Sequence, residues 1–166
     1  MSLDNIELAP FLIQELYKNC LVEFEVQKQA ERNLPVSSFN ILGNNKKRVI
    51  IIVENNETLY LPDDQLSFLL GILSACKLTM EDVAIINLKK NKAVTYKAIE
   101  QELKAEKIIL FGISPAQIEL PLEFPLYQIQ LYNNQTYITA AILTYIQDNK
   151  AEKTKLWNCL KQIFSN

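Results

Sequence analysis

Four short apolar runs, separated by amphipathic sequence, constrain the fold of this chain more than any other feature. They are Val49–Val53, Val83–Leu88, Ile108–Phe111 and Leu126–Leu131. Runs without a polar face are typical of parallel strands that are covered on both sides. Because crossovers between parallel strands are right-handed, helices would lie on both faces of such a sheet. The sequence therefore predicts an α/β fold in three layers, α/β/α, around a four-stranded parallel sheet.

The composition divides the chain into three parts. Residues 1–26 form an N-terminal amphipathic arm, residues 27–46 a polar connector, and residues 47–166 the α/β core domain. The arm has apolar residues at the spacing of one helix face: Leu8, Phe11, Leu12 and Leu16. At 166 residues the chain is long enough for one such core.

Side chains that can accept hydrogen bonds mark where the core helices begin. Asp63 or Asp64 can cap the first core helix, and Thr95 can cap the next. Ser114–Gln117 has capping-box spacing around a proline, which predicts a short helix. Thr139 can cap a helix further along the chain.

Two residues inside the core helices are interpreted as packing residues. Gly71 lies within the helix that follows Asp64, where glycine costs about 1 kcal/mol relative to alanine. We interpret it as a sign that a neighbouring backbone approaches closely. Trp157 lies on the apolar stripe of the last helix, and we expect it in the core.

The composition also disfavours several classes of function. The chain has no histidine, which is the commonest general base, and its formal charge is −2 at pH 7. A dedicated nucleic-acid binder needs a cationic surface, so we expect no direct DNA binding. The three glycines are too far apart for a dinucleotide-binding loop. We expect neither a cofactor nor a metal.

The cysteines and the N-terminus predict the compartment. Cys20, Cys76 and Cys159 are odd in number and lack metal-ligand spacing, so free thiols are expected. The N-terminus is acidic and lacks the pattern of a signal peptide. No apolar run approaches the roughly 20 residues of a membrane span. We therefore expect a cytoplasmic protein that does not contact a membrane.

Residues that follow the predicted strands are the candidates for a ligand site, because open α/β sheets bind ligands beyond the carboxyl ends of their strands. They are Glu54, Asn55, Glu57 and Ser114. The glutamates could act as acid and base or hold a hard cation. Solvated loop acids are the alternative. Ser114 lacks a base to activate it, which favours a helix cap over a nucleophile.

Two basic clusters and three tyrosines could contact nucleic acid locally. The clusters are Lys46–Arg48 and the lysines at 89, 90 and 92, and the tyrosines are Tyr127, Tyr132 and Tyr137. Solvated loop ends are the alternative for the lysines, and edge packing is the alternative for the tyrosines. We favour these alternatives.

Four segments resemble the psi subunit of bacterial DNA polymerase III holoenzyme. They are Arg48–Val53, Leu61–Leu66 at the start of a helix, Leu78–Val83, and Lys153–Leu160 with its Leu-Trp pair. The arm segment Leu12–Tyr17, separated from the core by a polar connector, is similar to the plan of that family.

The resemblance implies a core similar to the uracil-DNA glycosylase fold without its activity, with strand order 2-1-3-4 behind the N-terminal helical arm. It also implies a non-catalytic adaptor of the replication machinery. The arm would engage clamp-loader subunits, and the core would bind a chi-like subunit that contacts single-stranded DNA-binding protein. By position, the arm residues with this role are Leu8, Phe11, Leu12, Leu16 and Tyr17.

Several alternatives stay open at this point. An enzyme that hydrolyses nucleotides or N-glycosidic bonds would use Glu54 or Glu57 near Asn55. A regulatory α/β module of the receiver type is a third reading. The apolar face of the arm could also cover the sheet of its own chain, and a homodimer is a further alternative.

Overall fold

The computed structural model describes residues 38–165. They belong to the second of the two units into which the chain divides, Ser37–Asn166, and this unit is described by itself. The predicted arm residues Leu8, Phe11, Leu12, Leu16 and Tyr17 lie outside the described residues, as does Cys20.

Six strands, four α-helices and one 3₁₀ helix make up the described part of the chain. In chain order they are β1 (Ile41–Leu42), β2 (Val49–Val53), α1 (Asp63–Ala75), β3 (Val83–Asn87), α2 (Tyr96–Leu103), β4 (Lys107–Phe111), the 3₁₀ helix (Pro115–Ile118), β5 (Ile129–Tyr132), β6 (Gln135–Ala140), α3 (Leu143–Asp148) and α4 (Lys150–Phe164). Within residues 38–165 no helix has both the length and the apolar character that crossing a membrane requires.

The strands form one mixed sheet in the order β1-β3-β2-β4-β6-β5. The central pairs β3–β2, β2–β4 and β4–β6 are parallel, whereas β1 and β5 pair antiparallel at the two edges. The predicted sheet of four parallel strands in the order 2-1-3-4 is therefore wrong. The structure has six strands, and two of them run against the rest.

A hairpin explains the error at the C-terminal side of the sheet. Tyr132 pairs with Gln135, so only Asn133 and Asn134 connect β5 to β6. Both asparagines have positive φ angles, 51° and 61°, which two-residue hairpin turns of type I′ require. The predicted strand Leu126–Leu131 thus overlaps an antiparallel edge strand, and β6 forms the parallel pair with β4. Thr139 lies in β6 and does not cap a helix.

The opposite edge strand lies in sequence that was predicted to be connector. Ile41 and Leu42 pair with Ile86 and Ile85 of β3, and Phe39 is buried. Residues 38–46 are therefore part of the sheet-containing unit.

Helices cover both faces of the sheet because successive strand residues point to opposite sides. Ile51 of β2 packs in a cluster with Leu69 of α1 and with Leu156 and Leu160 of α4. Its neighbour Ile52 packs in a second cluster with Ile99 of α2. All residues of β2 and β3 are buried.

Two of the predicted helix starts are confirmed, and one predicted cap is wrong. The Thr95 side chain accepts a hydrogen bond from the Ala98 N–H, as predicted for a cap. Gln117 accepts a bond from the Ser114 N–H at 2.8 Å, and a short 3₁₀ helix begins there. The prediction that Asp63 or Asp64 caps α1 is wrong, because Pro62 occupies the cap position and makes no side-chain hydrogen bond.

Gly43 is required by the turn between β1 and β2. Its φ angle is +110°, and a Cβ atom there would lie 2.2 Å from the Val83 carbonyl oxygen and 2.6 Å from that of Met80. We expect Gly43→Ala to lower the free energy of unfolding by at least about 2 kcal/mol, through backbone strain and overlap with fixed carbonyls. Urea-induced unfolding followed by circular dichroism measures the loss.

Gly71→Ala is the matched control. Gly71 lies inside α1, and a Cβ atom there would meet nothing within 4 Å. This substitution should raise the free energy of unfolding by up to about 1 kcal/mol. Equal effects of the two substitutions would contradict the account.

Candidate functional site

Polar side chains that follow β2, β3 and β4 are linked at the carboxyl ends of these strands. The Glu54 carboxylate lies 2.8 Å from the Lys89 ammonium, and the Gln117 amide donates to it at 3.3 Å. Gln117 also accepts the bond from the Ser114 N–H. The structure thus brings the predicted site residues Glu54 and Ser114 into one hydrogen-bonded set.

The ionisation of Glu54 follows from these partners. Its pKa lies below the ordinary value, chiefly because of the hydrogen bond from Lys89, with smaller contributions from Gln117 and from the Lys89 charge, while burial acts in the opposite direction. A general acid that operates near neutral pH needs a raised pKa. Glu54 is therefore held as a paired carboxylate.

Asn55 and Glu57, the other two predicted site residues, have local roles. The Asn55 side-chain oxygen accepts bonds from the N–H groups of Glu57 and Thr58 at 2.8 and 2.9 Å. This is an Asx turn, in which the side chain takes the place of a backbone carbonyl. Glu57 contributes its N–H to the turn, and its side chain is exposed.

A buried asparagine that the sequence analysis missed holds this loop in place. Asn87 ends β3 and is fully buried. Its amide nitrogen donates to the carbonyls of Asn55 and Thr58 at 2.8 and 3.0 Å. Its oxygen accepts from the N–H groups of Asn55 and Lys89, both at 3.1 Å. The side chain uses two donors and two acceptor positions, so its hydrogen-bonding capacity is filled within the chain.

The first basic cluster is paired with acidic side chains. Lys46 contacts Glu81, Lys47 lies 3.4 Å from Asp82, and Arg48 lies 2.6 Å from Glu106. In the second cluster, Lys89 pairs with Glu54 as described, and Lys90 donates to the Asn56 carbonyl at 2.7 Å. These contacts agree with the reading of both clusters as loop ends.

The three tyrosines do not form one stacking platform. Tyr137 is fully buried and donates to the Gln135 side chain at 2.6 Å. Tyr132 packs edge-to-face with Tyr96, with ring centroids 5.9 Å apart. Tyr127 packs in the cluster on the opposite face of the sheet, and burial raises its pKa to about 12. Edge packing was expected for all three, but Tyr137 belongs to the core.

The cysteines in residues 38–165 are free thiols. Cys159 is buried and Cys76 is half-buried, and burial raises the pKa of both thiols. Among these described residues, no group of three or more His, Cys, Asp or Glu side chains is placed to hold a metal ion.

An open groove is lined by residues of the sheet-covering helices α1 and α4, and we call it the helix groove; its lining is apolar near the start of these helices and mixed near their ends. One part of it has a volume of about 460 Å³, and an adjoining part of about 450 Å³ shares Ala75, Trp157 and Leu160 with it. The residues that line the groove belong to α1, α3 and α4 or directly follow α1 and α4. They are Ser67, Phe68, Gly71, Ile72, Ala75, Cys76, Lys77, Ile146, Lys153, Leu156, Trp157, Leu160, Lys161, Phe164 and Ser165.

The expectations for two residues that line the helix groove are wrong. Trp157 was expected in the core, but it is only half-buried and lines the groove. Gly71 was interpreted as a close approach of backbones, but it lies at the open groove. One sequence signal could have indicated an open apolar surface on α1. Its apolar residues include Leu66, Phe68, Leu70 and Ile72, which together cover a wider arc of the helix than the face that packs on the sheet.

Lysine side chains flank the aromatic residues of the groove. The Lys153 ammonium lies 5.5 Å from the centre of the Phe68 ring, and that of Lys161 lies 5.3 Å from the Trp157 ring. Such cation–π contacts hold the long side chains over the apolar surface while their charges stay in water.

Comparison with known proteins finds no match for the sequence, either among protein-family models or among curated proteins.

The role of Asn87 can be tested by substitution. Asn87→Ala would remove the partners of the partly buried Asn55 and Thr58 backbone groups and leave a gap at a fully buried position, so we expect the free energy of unfolding to fall by about 2–3 kcal/mol. Asn56→Ala, which changes an exposed side chain in the same loop, should change it by less than about 0.5 kcal/mol. Urea-induced unfolding measures both changes. An unchanged free energy of unfolding in Asn87→Ala would refute the role of Asn87 in holding the loop.

Proposed function

We propose that this chain is a non-catalytic adaptor subunit of the DNA replication machinery, which acts by binding other proteins. The observation that carries the proposal is the helix groove. Solvent-accessible apolar surface with aromatic side chains is typical of sites that bind partners. Two of the segments that resemble the psi subunit, Leu61–Leu66 and Lys153–Leu160, contribute to the two helices that border the groove.

The proposal assigns one partner to each part of the chain. The arm engages clamp-loader subunits, because a short amphipathic helix is marginal in water and needs a surface to cover its apolar face. The helix groove binds a second partner. By the resemblance, this partner is a chi-like subunit, which contacts single-stranded DNA-binding protein. A cytoplasmic location belongs to this proposal.

The enzyme alternative has less support from the described residues. Its candidate carboxylate, Glu54, is paired with Lys89 and has a lowered pKa. Its neighbour Asn55 forms the loop turn. Ser114 begins a 3₁₀ helix, and its hydroxyl lies 3.4 Å from the Gln117 side-chain oxygen. These contacts build the loops and favour a structural role for the three residues.

The arm provides the test of the proposal. In the full-length chain, Leu12→Asp combined with Leu16→Asp should abolish co-elution with purified clamp-loader subunits, because charge would replace the apolar face. The control Gln14→Asp should co-elute like the wild type. The melting temperature of all three proteins should agree within about 3 °C, which shows that the core is unaffected.

Two results would contradict the adaptor proposal. One is failure of the wild-type chain to co-elute with clamp-loader subunits. The other is turnover of a uracil-containing or nucleoside substrate that disappears when Glu54→Gln and Glu57→Gln are combined.

A further inference from the structure

We infer that the helix groove binds an acidic amphipathic helix of a partner protein. The inference rests on the proposed function, because it specifies the ligand of the partner site on the core. It follows from the shape of the groove, from its charge and from the glycine that keeps it open.

The shape of the groove suits a third helix. Ser67 and Lys153 lie in the part of the groove near the start of α1 and α4, and Lys77 and Ser165 lie in the part near their ends. The two helices therefore run side by side in the same direction. The lining of α1 runs from Ser67 to its last helical residue, Ala75, which corresponds to about 12 Å of helix, or just over two turns. A helix in such a groove inserts apolar side chains at positions i, i+3, i+4 and i+7.

The charge of the groove selects the polar residues of that helix. Lys77, Lys153 and Lys161 line it, and none of its described lining residues is Asp or Glu. This contrasts with the whole chain, where acidic residues outnumber basic ones by 19 to 17. Charged residues at the rim of an interface act mainly on specificity and on the association rate. Glutamate or aspartate on both flanks of the apolar stripe complements the three lysines.

Gly71 leaves room for the ligand in the middle of the groove. A Cβ atom at this position would meet nothing within 4 Å, so the space above α1 is open between Phe68 and Trp157. Alanine would be the better helix residue by about 1 kcal/mol. A large side chain at position 71 would occupy the space that an inserted helix needs.

The single tryptophan of the chain reports on occupancy. Trp157 lines the groove, and the chain contains no other tryptophan. The probe is a synthetic 15-residue peptide with leucine and phenylalanine at i, i+3, i+4 and i+7 and glutamate at the flanking positions. The control peptide has lysine in place of every glutamate. Binding to the full-length chain is followed by the emission maximum of Trp157.

The glutamate peptide should give a saturable blue shift, and the lysine peptide should bind at least about tenfold more weakly. The preference should shrink as the salt concentration rises, since exposed charges are screened. Equal affinity of the two peptides, or no shift with either, would overturn the inference.

Two pairs of variants locate the binding site. Gly71→Leu should weaken binding of the glutamate peptide at least about tenfold, whereas Gly71→Ala should keep it within about threefold. Both variants should be at least as stable as the wild type, so lost binding cannot be ascribed to unfolding. Lys153→Glu combined with Lys161→Glu should reverse the peptide preference, and Lys92→Glu, an exposed lysine outside the groove, should leave it unchanged.

Wild-type affinity in Gly71→Leu would refute the groove as the site. The arm variants separate this result from the proposed function: if clamp-loader binding depends on the arm while the groove does not bind the glutamate peptide, the adaptor proposal stands and the inference falls. If the peptide binds in the groove while the wild-type chain does not bind the clamp loader, the inference stands and the adaptor proposal falls.

Discussion

Burial of the central strand on both of its faces is the constraint on which the rest of the structure depends. Every residue of β2 is buried, and burying a single large aliphatic side chain contributes roughly 1.5–3 kcal/mol. The sheet is therefore stable only if helices cover both sides. On the side of Ile51 this cover consists of α1, α3 and α4, and Ile146 of the short α3 lies beneath the helix groove. The groove is thus a result of how three helices of unequal length cover one face.

The polar side chains at the strand ends and those at the helix groove make different kinds of contact. At the carboxyl ends of the strands, Asn87 and Asn55 satisfy the backbone groups of the loop, and Glu54 is paired with Lys89. At the helix groove, Lys153 and Lys161 lie over the faces of aromatic rings, an arrangement in which the charge stays in water. The contacts at the strand ends therefore support a structural role for these polar residues.

Three of the four predicted strands lie in the parallel part of the sheet. The predicted strands Val49–Val53, Val83–Leu88 and Ile108–Phe111 correspond to the observed strands Val49–Val53, Val83–Asn87 and Lys107–Phe111, because these three apolar runs are covered on both faces. The hairpin was missed because Leu126–Leu131 resembles such a run, whereas the two asparagines that follow it determine the pairing. Asn87 was missed because a single amide at the end of an apolar strand gives no sign of its partners in a distant loop. The groove depends on the spacing of two helices that are far apart in the sequence, since α1 ends at Ala75 and α4 begins at Lys150, and no local pattern encodes that spacing.

The hairpin of β5 and β6 also bears on how the sheet assembles. It is the one pairing in the described sheet whose two strands are neighbours in the sequence, with Tyr132 opposite Gln135. Every other pair joins strands separated by a helix or by a longer stretch of chain. Short loops close with little loss of chain entropy, and hairpins form in about 1–10 μs. The hairpin can therefore exist before the parallel pairs do, and it presents β6 as a preformed edge onto which β4 can add.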